Sequence, residues 1–86
     1  MSAGLPEPIV VSEFWRNRRG ESVRIQLREY EGQILIDLRV HYLREGKLVP
    51  TQKGLSIAVR KLPELCLGVA KALKRARELG LLRDTQ

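Results

Sequence analysis

The residues with chemical potential in this chain are arginines and aromatics set at alternating positions. Between Ser22 and Tyr30, Val23, Ile25 and Leu27 point one way and Arg24, Gln26 and Arg28 the other, the two-residue period of a half-buried strand. Glu31-Gly32 suits a two-residue hairpin turn, with glycine taking the strained second position. That turn pairs Tyr30 with Gln33. It sets Arg28 opposite Leu35, Gln26 opposite Asp37 and Arg24 opposite Arg39, on the face away from Ile25, Leu27, Ile34 and Ile36. Directly opposed arginines repel by a few tenths of a kcal/mol or more. Two resolutions stand: an anion between them, phosphate being suited because guanidinium forks match its oxygens, or neutralisation by Asp37, diagonal to Arg24. Tyr30 at the hairpin tip and Tyr42 near the end of the next strand add aromatic surface. Unpaired bases stack on such rings at roughly 1–3 kcal/mol each, while a basic groove follows the phosphates. By parity Tyr42 falls on the apolar face, either as a core aromatic or turned outward by a bulge. Phe14 and Trp15 read as core or interface packing rather than as base platforms.

The elements that must position these groups follow from pattern. Residues 1–8 are small, polar and Pro-containing, the composition of a flexible tail. A single domain is expected over residues 9–82, with strands at about 9–15, 22–30, 33–43 and 55–59. Asn17-Arg18-Arg19-Gly20 is the turn between the first two strands. Residues 44–53 are polar, with Gly46 and Pro50, and read as a loop. From Leu62 the period changes: Leu62, Leu65, Cys66, Val69, Ala70, Leu73 and Ala76 recur at three- and four-residue steps, marking an amphipathic helix over about 62–79. Pro63 suits its first turn and Gly80 its C-terminal end. The fold class is α+β, a four-stranded antiparallel sheet followed by one long helix. One helix cannot cover both faces of the sheet, whose edges also stay open. A homodimer is therefore expected, with Leu65, Val69 and Leu73 in its interface.

Composition bounds the function. The chain has 86 residues and 43% hydrophobic content, enough for one globular domain. Sixteen Lys and Arg against ten Asp and Glu give a charge of +6, which favours a polyanionic partner. No apolar run approaches the ~18 residues of a membrane span, and the N-terminus lacks a secretion-signal pattern. Cys66 is the only cysteine, which fits a reducing, cytoplasmic setting and a buried structural thiol. His41 is the only histidine, so neither a Ser-His-Asp triad nor a multi-histidine metal site is available. A lone strand histidine reads as exposed or hydrogen-bonded. No phosphate loop or dinucleotide fingerprint occurs. The reading is a non-enzyme without cofactor or metal. Lys71, Lys74, Arg75 and Arg77 form a charged helix face read as solvated.

Tyr30, Gly32, Leu35-Ile36-Asp37, Arg39 and Tyr42, followed by Pro50 and Lys53-Gly54-Leu55-Ser56-Ile57, resemble the signature of the positive-cofactor-four family of transcriptional coactivators. The similarity covers about Phe14 to Leu73. It implies a curved four-stranded sheet, a long helix, pairing of two copies, and single-stranded DNA lying across their sheets. By resemblance Tyr30 and Tyr42 stack on bases, and Arg39 and Lys53 contact phosphates. Gln33, Glu21, Val23, Val49 and Gln52 stand where the family carries basic residues. Arg18, Arg19, Arg24, Arg28, Arg44 and Lys47 are candidates to compensate, and Arg24, Arg28, Gln33 and Lys47 complete the expected nucleic-acid surface. The serine-rich acidic region of animal members has no counterpart in this sequence. The resemblance therefore points to a prokaryotic or phage version, nucleoid-associated in a prokaryote, with transcription machinery as a further partner. Two other functions fit the same surface: RNA binding as a nucleic-acid chaperone, and docking of an acidic protein partner.

Overall fold

The computed structural model describes residues 4–82. Four strands in the order β1-β2-β3-β4 form one antiparallel sheet: β1 (Ile9–Trp15), β2 (Glu21–Tyr30), β3 (Gln33–Arg44) and β4 (Lys47–Ala58). A short 3₁₀ turn (Val59–Lys61) leads into helix α1 (Leu62–Glu78). The expected α+β class and strand–helix order are those observed.

The two long hairpins turn on the same dipeptide. Glu31 and Gly32 have φ of 50° and 81°, Glu45 and Gly46 of 53° and 80°. Two successive positive φ values give the backbone twist that matches paired strands. The β2–β3 register is as derived from the first turn, with Tyr30 against Gln33, Gln26 against Asp37 and Arg24 against Arg39. The second turn corrects the expected 44–53 loop. Those residues are mostly strand, and β4 begins at Lys47 rather than near residue 55. The alternation there is hidden by a bulge: β3–β4 pairing shifts between Arg39–Gly54 and His41–Pro50, so Thr51, Gln52 and Lys53 face Val40 alone. A second irregularity falls in β1 between Val10 and Ser12.

Of the expected N-terminal tail, residues 1–3 lie outside the described residues. The N–H of Leu5 donates to Glu29 Oε1 at 2.8 Å, tying residue 5 to the end of β2. Pro63 sits in the first turn of α1. The helix closes with the N–H groups of Gly80 and Leu81 donating to Arg77 and Ala76 carbonyls at 3.0 and 2.8 Å, Gly80 at φ 74°. This is the Schellman closure expected of that glycine.

Helix α1 packs chiefly on the 3₁₀ turn and only sparsely on the sheet. None of its residues is buried. Ile36, 3% exposed, is the fully buried hydrophobic residue among those described. The radius of gyration is 15.3 Å, against about 12 Å for a compact domain of this length. An open apolar cleft of about 430 Å³ runs between helix and sheet, walled by Ile25, Ile36, Leu38, Leu65, Val69 and Leu73. Cys66 lines it and is exposed; the expected burial fails because the helix stands off the sheet. Phe14 and Trp15, 55% and 61% exposed, are likewise not core residues of the single chain.

Candidate nucleic-acid interface

The sheet face away from α1 is polar, and its centre is closed rather than solvated. Asp37 is 1% exposed, and Ser22 and His41 are nearly as buried. Every buried side-chain polar atom among the described residues has a partner, as burial without water demands. Arg39 Nη2 donates to Asp37 Oδ1 at 2.9 Å and its Nε to both carboxylate oxygens at 3.2 and 3.3 Å. The same guanidinium reaches the Thr51 carbonyl at 3.0 Å and Ser56 Oγ at 3.2 Å, both on β4. Ser56 Oγ also donates to Asp37, and Gln26 Nε2 lies 3.4 Å from Asp37 Oδ2. Burial alone would raise the Asp37 carboxyl. The hydrogen bonds from Arg39 and Ser56, with the charges of Arg39 and Arg28, outweigh it and hold the group below its ordinary value. His41 Nδ1 lies 3.3 Å from the Arg39 carbonyl oxygen, so this histidine is buried and hydrogen-bonded rather than exposed.

The opposed arginines are therefore neutralised without an added anion. Asp37 takes Arg39, two residues along the same strand and on the same face. Arg24 is taken by Glu13, its cross-strand neighbour on β1. The sequence left open an intervening anion or neutralisation by Asp37, diagonal to Arg24, and did not point to Glu13. Glu13 meets Arg24 two pairs on from Trp15–Ser22 at the turn, in a register that the irregularity beyond Ser12 leaves unchanged.

Around this floor lies a depression of about 420 Å³ whose walls include Arg24, Gln26, Arg28, Asp37, Arg39 and Pro50. Tyr30, 55% exposed, stands at one end, with the Arg28 guanidinium 5.8 Å from its ring centroid, a cation–π distance. Gln33 is its exposed cross-strand partner. Lys47 and Lys53 are exposed on β4 and form no ion pair among the described residues. Lys53 is held in the bulge by its own N–H, which donates to Thr51 Oγ1 at 3.1 Å. Gly54 beside it is obligatory: a Cβ there would lie 2.9 Å from Arg39 Cα and closer still to the Leu38 carbonyl oxygen. Tyr42 is partly exposed and pairs with Glu21 and Val49. Alternation along β3 puts it on the side opposite Arg39. A strand touching both tyrosines must pass around the end of the sheet. Leu65, Val69 and Leu73 share the apolar cleft on the far side. No group of three or more His, Cys, Asp or Glu residues able to hold a metal occurs among the described residues, and none of their helices is long and apolar enough to cross a membrane.

Comparison with known proteins decides the family. The Transcriptional Coactivator p15 (PC4) family matches residues 17–67. The chain belongs to the PC4 family. That span runs from the β1–β2 turn into the first turns of α1, and so contains the β2–β4 part of the polar face. PC4 proteins are transcriptional coactivators that bind single-stranded DNA, and no catalytic family is indicated. The Arabidopsis thaliana protein named RNA polymerase II transcriptional coactivator KIWI is 38% identical over 53 residues, 62% of this chain and 45% of its own length. The Arabidopsis coactivator KELP is 35% identical over 40 residues, 46% of this chain and 24% of its own length. The chain thus spans less than half of the curated relatives it matches. A PC4 homolog from Burkholderia pseudomallei has the same fold in two crystal forms. TM-scores are 0.68 and 0.67 at 24% and 27% identity, covering 81% and 77% of this chain and 95% and 97% of the bacterial one.

Proposed function

We propose that this chain binds single-stranded DNA as a homodimer and acts on transcription or on exposed single strands without performing chemistry. The observation that carries the reading is Tyr30: a largely exposed ring, backed by Arg28, at the edge of a polar face on a PC4-family sheet. A ring so placed offers its surface to an unstacked base, which a duplex would hide. Arg28, Lys47 and Lys53 supply phosphate contacts from groups that form no ion pair among the described residues. Arg24 and Arg39 border the same groove, Arg24 with the N–H groups that Glu13 leaves free and Arg39 with what remains after Asp37, Ser56 and the Thr51 carbonyl. Gln33 extends the tip, and Tyr42 is a second platform around the end of β3. Pairing of two copies through Leu65, Val69 and Leu73 would fill the apolar cleft that a lone chain leaves open. Transcription machinery as a partner rests on the family alone.

Salt titration of matched single-stranded DNA, duplex and RNA tests the proposal. Single strands are expected to bind more tightly than duplex. About four to six phosphate contacts give a log–log salt slope of roughly −3 to −4. Equal affinity for duplex and single strand refutes stacking, and tighter binding of RNA moves the function to an RNA chaperone. Binding of neither at low salt leaves an acidic protein partner.

A further inference from the structure

The β1–β2 turn is the best-prepared surface that the site above does not use. Trp15 ends β1 opposite Ser22, on the same side of the sheet as Arg24 and, eight residues along β2, Tyr30. Its side chain is 61% exposed, a large apolar area for a chain to leave in water. It borders a shallow depression of about 450 Å³ shared with Asn17, Arg18 and Gly20. The cations nearby differ from Arg24 and Arg39 on the central face. Arg24 and Arg39 are committed to carboxylates, whereas the exposed side chains of Arg18 and Arg19 make no ion pair or hydrogen bond among the described residues.

The turn is also rigid, so little ordering entropy opposes binding there. Asn17 Oδ1 accepts from the N–H groups of Arg19 and Glu21 at 2.9 and 3.4 Å, and Asn17 Nδ2 donates to Glu21 Oε1 at 2.6 Å. The Arg16 N–H donates to the Glu21 carbonyl at 2.8 Å, and the Gly20 carbonyl accepts from Leu43 N–H at 2.9 Å, tying the turn to β3. Gly20 is at φ 89°, a conformation that side chains rarely adopt.

We propose that this turn is an additional single-strand subsite, in which Trp15 stacks on a base and Arg18 and Arg19 hold the neighbouring phosphates. It rests on the single-strand reading above and extends the bound track past the central groove. The eight residues from Ser22 to Tyr30 span about 26 Å at ~3.3 Å per residue, so one strand touching both rings needs about eight nucleotides at the ~3.4 Å spacing of stacked bases.

Trp15 is the only tryptophan in the chain, so its fluorescence reports on this subsite alone. The test titrates the full chain with end-labelled oligo-dT of about 20 and about 4 nucleotides, reading label anisotropy and tryptophan emission together. The longer strand is expected to quench emission in step with anisotropy. Trp15→Ala should weaken that strand about 5- to 150-fold, the range for losing one stacked base, with an unchanged salt slope. Trp15→Phe should recover most of the loss, and a melt within a few degrees of wild type shows that folding is intact. Arg18→Gln with Arg19→Gln should flatten the slope by about 1.4, two contacts at ~0.7 each. A smaller Trp15→Ala effect on the 4-mer supports a track longer than that strand. Anisotropy binding without quenching, or an unchanged affinity for Trp15→Ala, overturns the subsite while leaving the function standing. No anisotropy change with either strand overturns both.

Discussion

Replacing Arg39 with alanine should destabilise the fold before it informs on binding. The substitution removes the guanidinium that holds a nearly inaccessible carboxylate and ties β3 to the Thr51 carbonyl and Ser56 on β4. Breaking one partner of a buried pair costs about 3–5 kcal/mol, because an uncompensated charge remains. The Arg39 side chain is 21% exposed, so water reaches the vacated space and the expected cost falls to about 2–4 kcal/mol. Relief of the Arg24–Arg39 repulsion offsets only a few tenths of a kcal/mol, and less here because Glu13 already neutralises Arg24. At ~4–8 °C per kcal/mol for a domain this small, the melt should drop by roughly 10–30 °C. Thermal melts at fixed protein concentration measure it, since any dimer makes Tm concentration-dependent. Adding Asp37→Asn to Arg39→Ala should restore at least half of the loss, because the stranded charge is then gone. The wild-type pH profile belongs to the same argument. The folded Asp37 carboxyl is held below its ordinary 3.8, so the unfolded chain takes up protons first as acid is added. The stabilisation is complete at neutral pH and is lost as pH falls through 3.8 and then through the lower folded value. In Arg39→Ala that acid-side loss should shrink. An Arg39→Ala protein melting within about 2 °C of wild type would refute the structural role and leave Arg39 as a phosphate contact alone.

Tyr30→Ala should cost about 1–3 kcal/mol of single-strand binding with an unchanged salt slope, since it removes a stacking surface and no charge; a salt titration separates the two. Leu73→Asp places a charge in the open apolar cleft; sedimentation should show a dimer for wild type and a monomer or unfolded chain for the variant, and a monomeric wild type at micromolar concentration rejects pairing. Gly54→Ala forces β4 away from β3 at Leu38 and Arg39 and should lower stability by about 1–3 kcal/mol, read by denaturant unfolding.

Strands β1 to β3 and the helix were legible because their patterns are local: a mixed apolar and polar run ending in two aromatics for β1, two-residue alternation for β2 and β3, a 3.6-residue stripe and a closing glycine for the helix. The first half of β4 was not, since its bulge breaks alternation and Pro50 reads as a loop residue. A usable signal existed. Glu45-Gly46 repeats the dipeptide of the recognised Glu31-Gly32 turn, with nearly the same φ values. The Arg24–Arg39 opposition followed from counting back from that first turn, but its neutralisation did not. Glu13 reaches Arg24 through a β1–β2 register that the long turn after Trp15 does not fix by pattern, and Asp37 takes Arg39 through tertiary burial. The exposure of Trp15 was illegible for a related reason: an aromatic at a strand end looks the same whether it faces a core or water.

The two irregular strands are also the two outermost. β1 and β4 form the borders of the sheet, and each carries a break in pairing. A border strand with regular, unpaired N–H and C=O groups is a template on which another chain adds, and another after it. Here the β4 border is interrupted by Pro50, which has no N–H to offer, and by a bulge that contains Lys53; the β1 border changes register at Val11. Open-ended, strand-by-strand growth is thereby discouraged on both sides. In the proposed homodimer, self-association falls to the apolar face between helix and sheet, where a contact related by two-fold symmetry closes on itself after two copies.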